Sequence, residues 1–179
     1  MTLALPIRTE RLAVRRLQPS DLEHFASYRA DPVLARYQGW APMTLEEARE
    51  FIASMLTQPT LEPGSWLQLA IADGEGDELL GDIGLCLHEN GDAEIGFTLR
   101  HEAQGKGFAT EALRGLARQL LRLPDVARIV GITDARNQAS VQVLERLGMT
   151  LVSRYETTFK QEPCVELRYE LSRESGGRG

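Results

Sequence analysis

The stretch Gln104-Gly105-Lys106-Gly107-Phe108-Ala109-Thr110 lies between a predicted strand that ends near Leu99 and a predicted helix. Backbone amides at the start of a helix can converge on phosphate oxygens, and glycines remove side chains that would block the approach. The segment therefore predicts an anion site for which a diphosphate is the natural ligand. The helix itself is indicated by an apolar stripe at helical spacing, formed by Ala109, Leu113, Leu116, Ala117 and Leu120.

Other interpretations of these glycines are open. A lone Gly-x-Gly is more typical of a simple strand-to-helix turn than of a ligand site. A Walker phosphate loop is disfavoured because no Gly-Lys-Ser/Thr follows at the required spacing, and a dinucleotide fingerprint fails at its third glycine, which is Thr110. A nucleotide-binding protein stays as an alternative that competition by ATP or NAD would support.

Length and composition predict one domain. The chain has 179 residues, 42% hydrophobic and 26% charged, and two domains would each have a thin core. We expect the domain to span residues 1–171 and the tail, residues 172–179, to be disordered because it is rich in glycine and charge. The apolar stretches are too short for a membrane span and residues 1–6 do not resemble a signal peptide, which predicts a cytoplasmic protein with no membrane partner.

Charge and cysteine content argue against two further classes of function. The formal net charge of −6 disfavours nucleic acid as a partner, because phosphate neutralisation needs clustered Lys and Arg. An acidic surface favours cationic partners such as amines instead. Cys86 and Cys164 form no ligand spacing with each other or with histidine, so we expect neither a metal site nor a disulfide.

The order of predicted elements indicates an α/β (α+β) plan. An antiparallel meander precedes a strand–helix–strand–helix unit, which predicts one mixed sheet with helices on both faces. A capping box at Thr44 to Glu47 marks one helix start. Strands are predicted at residues 8–17, 66–72, 79–88, 93–99, 127–133, 151–159 and 165–171, and helices at 22–30, 44–56, 109–121 and 139–147.

Several segments resemble the GCN5-related N-acetyltransferase (GNAT) superfamily. Gln104, Gly107 and Ala109 match its Gln/Arg-x-x-Gly-x-Gly/Ala pyrophosphate loop. Further segments are similar to the branch that contains the RimJ and RimL ribosomal-protein N-acetyltransferases, and with them the likeness covers residues 8–171. These segments are Arg8-Thr-Glu-Arg-Leu12, Leu17-Gln-Pro-Ser-Asp21, Ala93-Glu-Ile-Gly-Phe97, Gly107-Phe-Ala-Thr-Glu-Ala112, Asn137-Gln-Ala-Ser140 and Val143-Leu-Glu-Arg-Leu-Gly-Met149.

The resemblance implies a mostly antiparallel sheet of six to seven strands, splayed between its fourth and fifth strands by a bulge at residues 94–99. Acetyl-CoA would bind in that cleft, and no metal is required. Asn137 and Ser140 would contact the coenzyme, although helix capping also explains them. The backbone of Leu99 and Arg100 would hold the pantetheine arm, and the phosphates would meet Gln104, Gly105, Lys106, Gly107, Phe108, Ala109 and Thr110.

The implied reaction is direct attack of a neutral amine on the thioester in a ternary complex, with the oxyanion stabilised by a backbone amide. Glu94 is the candidate base because it opens the strand at the cleft, although a solvated position on an amphipathic strand explains it equally well. Ser140 is the candidate proton donor, since Leu144 replaces the tyrosine that many members carry. Tyr155 is a weaker substitute.

The acceptor amine is left open. Tyr37, Trp40 and Trp66 are expected to shape its pocket, or else to pack in the core. A protein N-terminal α-amine, a polyamine, an amino acid and an antibiotic are all compatible with the sequence, and a non-catalytic acyl-CoA-binding module is the alternative from another class. Because family members are often dimers, the resemblance also favours a homodimer.

Overall fold

The computed structural model describes residues 2–173. Its strands are β1 (Ile7–Arg8), β2 (Leu12–Arg16), β3 (Trp66–Asp73), β4 (Leu79–Leu87), β5 (Asp92–Leu99), β6 (Arg128–Asp134), β7 (Thr150–Phe159) and β8 (Glu162–Ser172). Its α-helices are α1 (Leu22–Arg29), α2 (Pro32–Ala35), α3 (Leu45–Thr57), α4 (Phe108–Leu120) and α5 (Gln138–Arg146). None of these helices is long and apolar enough to cross a membrane. Ser172, the first residue of the predicted tail, belongs to β8, and residues 174–179 of that prediction lie outside the described part of the chain.

The strands form one eight-stranded sheet in the order β1-β2-β3-β4-β5-β6-β8-β7. Every neighbouring pair is antiparallel except β5 and β6, so the predicted mixed, mostly antiparallel sheet is confirmed. The strand count is one above the predicted six to seven. The single strand expected at residues 8–17 is a hairpin, because the chain turns where the amide of Thr9 donates to the carbonyl of Leu12.

The helices cover both faces of the sheet, as expected. The predicted apolar stripe of α4 is buried in the larger core, which also contains Leu144 of α5. A smaller core on α1 and α3 contains Phe25 and Ile52. The predicted capping box of α3 is present, since Thr44 and Glu47 each accept a hydrogen bond from the other's backbone amide. Helices α3 to α5 thus follow from local sequence rules.

Helix α2 was not predicted. The helix predicted at residues 22–30 ends before Asp31-Pro32, and this pair also starts a new helix. The carboxylate of Asp31 accepts a hydrogen bond from the amide of Val33 at 2.8 Å, and proline fits the first position of a helix. The same proline therefore marks both the end of α1 and the start of α2.

Strands β5 and β6 separate partway along their length. They pair in parallel from Asp92–Arg128 to Ile95–Gly131, and the remainder of each strand is unpaired with the other. The prediction of a bulge at residues 94–99 was wrong. The pairing of β4 with β5 continues without a shift in register from Gly81–Leu99 to Leu87–Ala93. The predicted cleft is present, and it forms by divergence of β6 rather than by a kink in β5.

Candidate functional site

The loop after β5 turns the chain into α4 through two glycines in the left-handed region. Gly105 has φ of 74° and Gly107 has φ of 80°, a conformation that side chains with a Cβ rarely adopt. Gly107 immediately precedes α4, so a left-handed residue marks the point where the helix begins. These two positions explain why glycine is needed in the motif.

The backbone amides of residues 105–110 have no hydrogen-bond acceptor among the described residues. The first helical amide to find one is that of Glu111, which donates to the carbonyl of Gly107 at 3.1 Å. Unpaired amides and the positive end of a 13-residue helix thus occur together. This arrangement fits a diphosphate.

Two side chains, those of Gln104 and Arg11, brace the loop. The side-chain amide of Gln104 donates to the carbonyl of Leu99 at 3.0 Å. Arg11 donates to the carbonyl of Lys106 at 2.9 Å, and its guanidinium lies 4.6 Å from the centre of the Phe108 ring. Gln104 therefore fixes the loop and does not point away as a free ligand.

Arg11 and Glu111 were missed as site residues. The guanidinium of Arg11 lies 2.7 Å from the carboxylate of Glu111, which also accepts hydrogen bonds from the Arg11 amide and the Thr9 hydroxyl. Burial raises the pKa of Glu111, but these hydrogen bonds outweigh it and lower the pKa from its ordinary value of 4.5. Both residues stand in segments that carry the family resemblance, but nothing local shows that they meet.

The roles predicted for Arg100 and Lys106 stay predictions. The amide of Arg100 donates to Leu80 and its carbonyl accepts from Ala103, both at 3.0 Å, so a contact with the pantetheine arm would share these groups. Its guanidinium pairs with Glu78 at 3.1 Å. The amine of Lys106 is in no ion pair among residues 2–173.

The start of α5 follows the end of β6 that is not paired with β5. The side-chain oxygen of Asn137 accepts from the amide of Ser140 at 3.3 Å, so the capping role is present. The Ser140 hydroxyl has no hydrogen-bond partner within the described chain, and its coenzyme role stays a prediction. Leu144, at the usual tyrosine position, is 2% exposed, and its Cδ2 would lie 2.7 Å from a Cβ added to Gly131. A packed leucine side chain therefore stands at the position where many family members carry a tyrosine.

A cavity of about 420 Å³ runs along β5 on the face covered by α1 and α3. It brings together Glu94 and all three aromatic residues expected at the acceptor pocket, Tyr37, Trp40 and Trp66. Trp66 is 47% exposed and forms part of the rim. Ser140 and the loop at residues 104–110 do not line this cavity.

Two carboxylates in the cavity lack a permanent cation within salt-bridge distance in the described chain. Glu94 lies 2.8 Å from Nε2 of His88, a half-exposed side chain. Glu166 accepts a hydrogen bond from the Tyr155 hydroxyl at 2.5 Å, and this bond, with burial, raises the pKa of Tyr155 to about 12. The phenol proton is therefore held firmly by Glu166, and Tyr155 does not line the cavity, which weakens its candidacy as the proton donor.

A buried ion pair supports the cavity floor. Arg29, 1% exposed, lies 2.8 Å from Asp82, which is fully buried and also accepts from Gln68 and from the Tyr28 hydroxyl. The guanidinium stacks 4.3 Å from the Trp40 ring centre. Sequence reasoning missed this network, because no local pattern links Arg29 to a carboxylate 53 residues further along the chain.

Lys160 joins the β7–β8 hairpin to the last residue of α2 and to the segment that follows this helix. Its amine donates to the carbonyls of Ala35 at 2.6 Å and Trp40 at 2.9 Å. Burial lowers the pKa of this amine. The contact holds Trp40 beside the cavity, and no sequence signal could have indicated a pairing across more than a hundred residues.

Comparisons with known proteins agree with this geometry. The profile of the acetyltransferase (GNAT) domain matches residues 11–150. A Bacillus licheniformis protein, uncharacterized N-acetyltransferase p20, is 33% identical over 143 residues, which cover 78% of this chain and 79% of that protein.

Solved structures share the fold. A GNAT-family acetyltransferase from Bacillus anthracis has a TM-score of 0.84 at 21% identity and covers 95% of this chain and 99% of its own. RimL, a ribosomal L7/L12 α-N-protein acetyltransferase in complex with coenzyme A, has a TM-score of 0.81 at 20% identity, with 96% and 98% covered. A Vibrio cholerae spermidine N-acetyltransferase in complex with CoA and spermine has a TM-score of 0.78 at 17% identity, with 93% and 98% covered.

Proposed function

The chain belongs to the GNAT acetyltransferase family, and from that premise we propose that it transfers an acetyl group from acetyl-CoA to a primary amine. The observation that carries the proposal is the row of unpaired amides at residues 105–110, placed at the end of β5 whose other residues line the cavity. An anion site and an acceptor cavity on one strand are what acetyl transfer between two substrates needs.

The coenzyme would bind with its diphosphate on these amides and its arm in the gap between residues 96–99 of β5 and 132–134 of β6. In this gap the backbone groups of β5 and β6 form no hydrogen bonds with each other. An extended pantetheine arm can therefore lie between the two strands and accept or donate these hydrogen bonds. Acetyl-CoA supplies an activated thioester and a thiolate leaving group. Two structural relatives are complexes with coenzyme A, which supports the same cosubstrate here.

Glu94 would accept the proton that an ammonium must lose before it attacks. Its carboxylate lines the cavity and touches His88, whose half-exposed ring offers a route for the proton to solvent. Since Leu144 cannot donate a proton to the leaving thiolate, Ser140 stays the candidate donor. Neither role depends on a metal ion.

The cavity fits a cationic amine. Glu94 and Glu166 supply negative charge to the cavity. The half-exposed ring of Trp66 offers a face that attracts alkylammonium groups, whereas the rings of Tyr37 and Trp40 already lie against arginine guanidiniums. The RimL relative acts on a protein α-amine and another relative is bound to spermine, and both acceptors carry positive charge. We therefore propose a cationic acceptor, either a protein N-terminus or a small-molecule amine. The homodimer stays a prediction.

A non-catalytic acyl-CoA-binding module is the second candidate. The observation that favours it is the lack of a phenol that could donate a proton to the leaving thiolate. Leu144 is apolar, and the hydroxyl of Tyr155 donates its proton to Glu166. Such a module would bind the coenzyme through residues 105–110 without release of free thiol. The two candidates differ only in turnover.

Calorimetric titration with acetyl-CoA tests the coenzyme site, with ATP and NAD as controls and a Gly107→Trp variant to block the loop. We expect saturable binding of acetyl-CoA that the variant loses while it keeps a cooperative thermal transition. Free-thiol release is then followed over a panel of polyamines, amino acids, antibiotics and short peptides. Coenzyme binding without turnover on any amine would select the second candidate, and no coenzyme binding would overturn both.

A further inference from the structure

A basic groove runs along the outer side of α4, away from the acceptor cavity. It is lined by six arginines and only two glutamates, although the chain as a whole carries a net charge of −6. The groove and the cavity share no lining residue. The arginines are Arg8, Arg11, Arg114, Arg118, Arg122 and Arg146.

Most of this charge is unpaired. Arg11 is bound to Glu111, but none of the other five arginines is in an ion pair among residues 2–173. All five are exposed. Arg114 contacts only a backbone carbonyl, that of Arg146, at 2.9 Å. An acidic protein therefore concentrates free guanidinium groups on one surface.

The arginines follow the helix periodicity. Arg114, Arg118 and Arg122 are spaced four residues apart along α4 and its C-terminal turn, so they form one row on one side. With a rise of about 1.5 Å per residue, Arg118 lies about 16 Å along the axis from Gly107. In coenzyme A, the ribose phosphate is separated from the diphosphate by only a few bonds. If the diphosphate binds at residues 105–110, the ribose phosphate therefore stays near the start of α4, and the coenzyme does not account for Arg118 and Arg122.

We propose that this groove, defined by the five unpaired arginines, binds an acidic polypeptide segment of a partner protein. Guanidinium groups form paired hydrogen bonds with carboxylates, and Asp or Glu side chains one helical turn apart would match the row. Single-stranded nucleic acid is disfavoured because the lining contains no aromatic side chain on which bases stack. A long polyanion would also be repelled by the rest of the protein surface, which is acidic.

A partner bound in the groove does not block the acceptor cavity. Because the groove and the cavity are lined by different residues, an acidic segment on α4 leaves the rim at Trp66 open. The groove therefore supplies an anchor that concentrates the protein beside its partner. Its strength depends on ionic strength, since the guanidinium groups are exposed.

The test is fluorescence anisotropy with a labelled peptide of alternating Glu and Asp, at low salt, with the full-length protein. We expect saturable binding that falls at least about tenfold in Arg118→Glu/Arg122→Glu, since each charge-assisted contact contributes strongly. The control Arg49→Glu/Arg154→Glu makes the same change in net charge at two exposed arginines outside the groove and is expected to bind like the wild type.

Any of four outcomes would overturn the proposal, and three of them concern the peptide itself. These are absence of peptide binding, equal weakening in the control variant, and complete competition by acetyl-CoA, which would assign the groove to the coenzyme. Tighter binding of a labelled oligothymidylate of equal charge would assign it to nucleic acid instead. Acetyl-CoA binding by the Arg118→Glu/Arg122→Glu variant, measured in parallel, separates failure of this proposal from failure of the coenzyme site.

Discussion

Arg11 and Glu111 lie 2.7 Å apart and join the turn between β1 and β2 to the first turn of α4. The same guanidinium donates to the carbonyl of Lys106, so one side chain ties the edge of the sheet to both the loop and the helix. Arg11 thereby holds the loop at the Lys106 carbonyl, while the amides of residues 105–110 find no acceptor among the described residues. The ion pair therefore supports the loop that we propose as the diphosphate site.

Glu111→Gln is expected to lower the free energy of unfolding by about 2 kcal/mol at neutral pH, because a charged acceptor of three hydrogen bonds becomes neutral. The pKa of Glu111 is lowered in the folded protein, so its contribution is complete above its ordinary value of 4.5 and disappears as the pH falls through the folded-state pKa. Urea unfolding at a series of pH values checks this.

The control is Glu102→Gln, whose carboxylate is 76% exposed and 3.7 Å from Arg100. Its effect is expected to stay within about 0.5 kcal/mol. A difference between Glu111→Gln and the wild type that did not shrink at acidic pH would contradict the charged role of Glu111.

Glu94→Gln is expected to lower kcat about 100-fold without changing the affinity for acetyl-CoA, because the base is lost while the loop is untouched. Steady-state acetylation kinetics measures kcat, and calorimetry measures the affinity for acetyl-CoA. Glu156→Gln, an exposed carboxylate on β7, serves as the matched control. An unchanged kcat would mean that Glu94 is only a polar position on β5.

Lys160→Met is expected to raise KM for the amine about tenfold, because the segment that carries Trp40 loses two hydrogen bonds from one amine. The affinity for acetyl-CoA should not change. Gln161→Asn at the same turn is the control, since asparagine tolerates positive φ. Equal effects of both variants would show that any change at the hairpin tip disturbs the cavity.

Gly131→Ala is expected to cost about 1–3 kcal/mol, because the new methyl group would lie 2.7 Å from Cδ2 of the buried Leu144. Gly96→Ala on the paired strand is the control, since its added Cβ meets no atom within 4 Å. A double-mutant cycle with Leu144→Val should show that the shorter side chain relieves part of the cost. Equal costs for both glycines would refute the proposed contact.

Asp82→Asn is expected to destabilise the protein by about 3–5 kcal/mol, because it leaves the buried charge of Arg29 without its partner. Chemical denaturation measures the loss. Adding Arg29→Met to this variant should recover part of it, since the uncompensated charge is then removed. If the double variant is no more stable than Asp82→Asn, packing of Arg29 against Trp40 is the larger contribution.

The sequence predicted most elements because local rules govern them. The stripe on α4 and the capping box at Thr44 are set by residues within one or two turns, and both are present. The extra strand and α2 were missed where the rules are ambiguous. Residues 9–11 turn inside a run that alternates like one strand, and one proline both ends α1 and starts α2.

By itself, the sequence predicted the fold class, the family and the loop proposed to bind an anion, because glycines that favour left-handed backbone and the start of a helix are local features of the chain. Tertiary structure alone decided which side chains meet: Arg11 with Glu111, Arg29 with Asp82, and Lys160 with the carbonyls of Ala35 and Trp40. It also placed the predicted aromatic residues around one cavity. These contacts join residues far apart in the chain, and their geometry is fixed only when the sheet and both helical layers have packed.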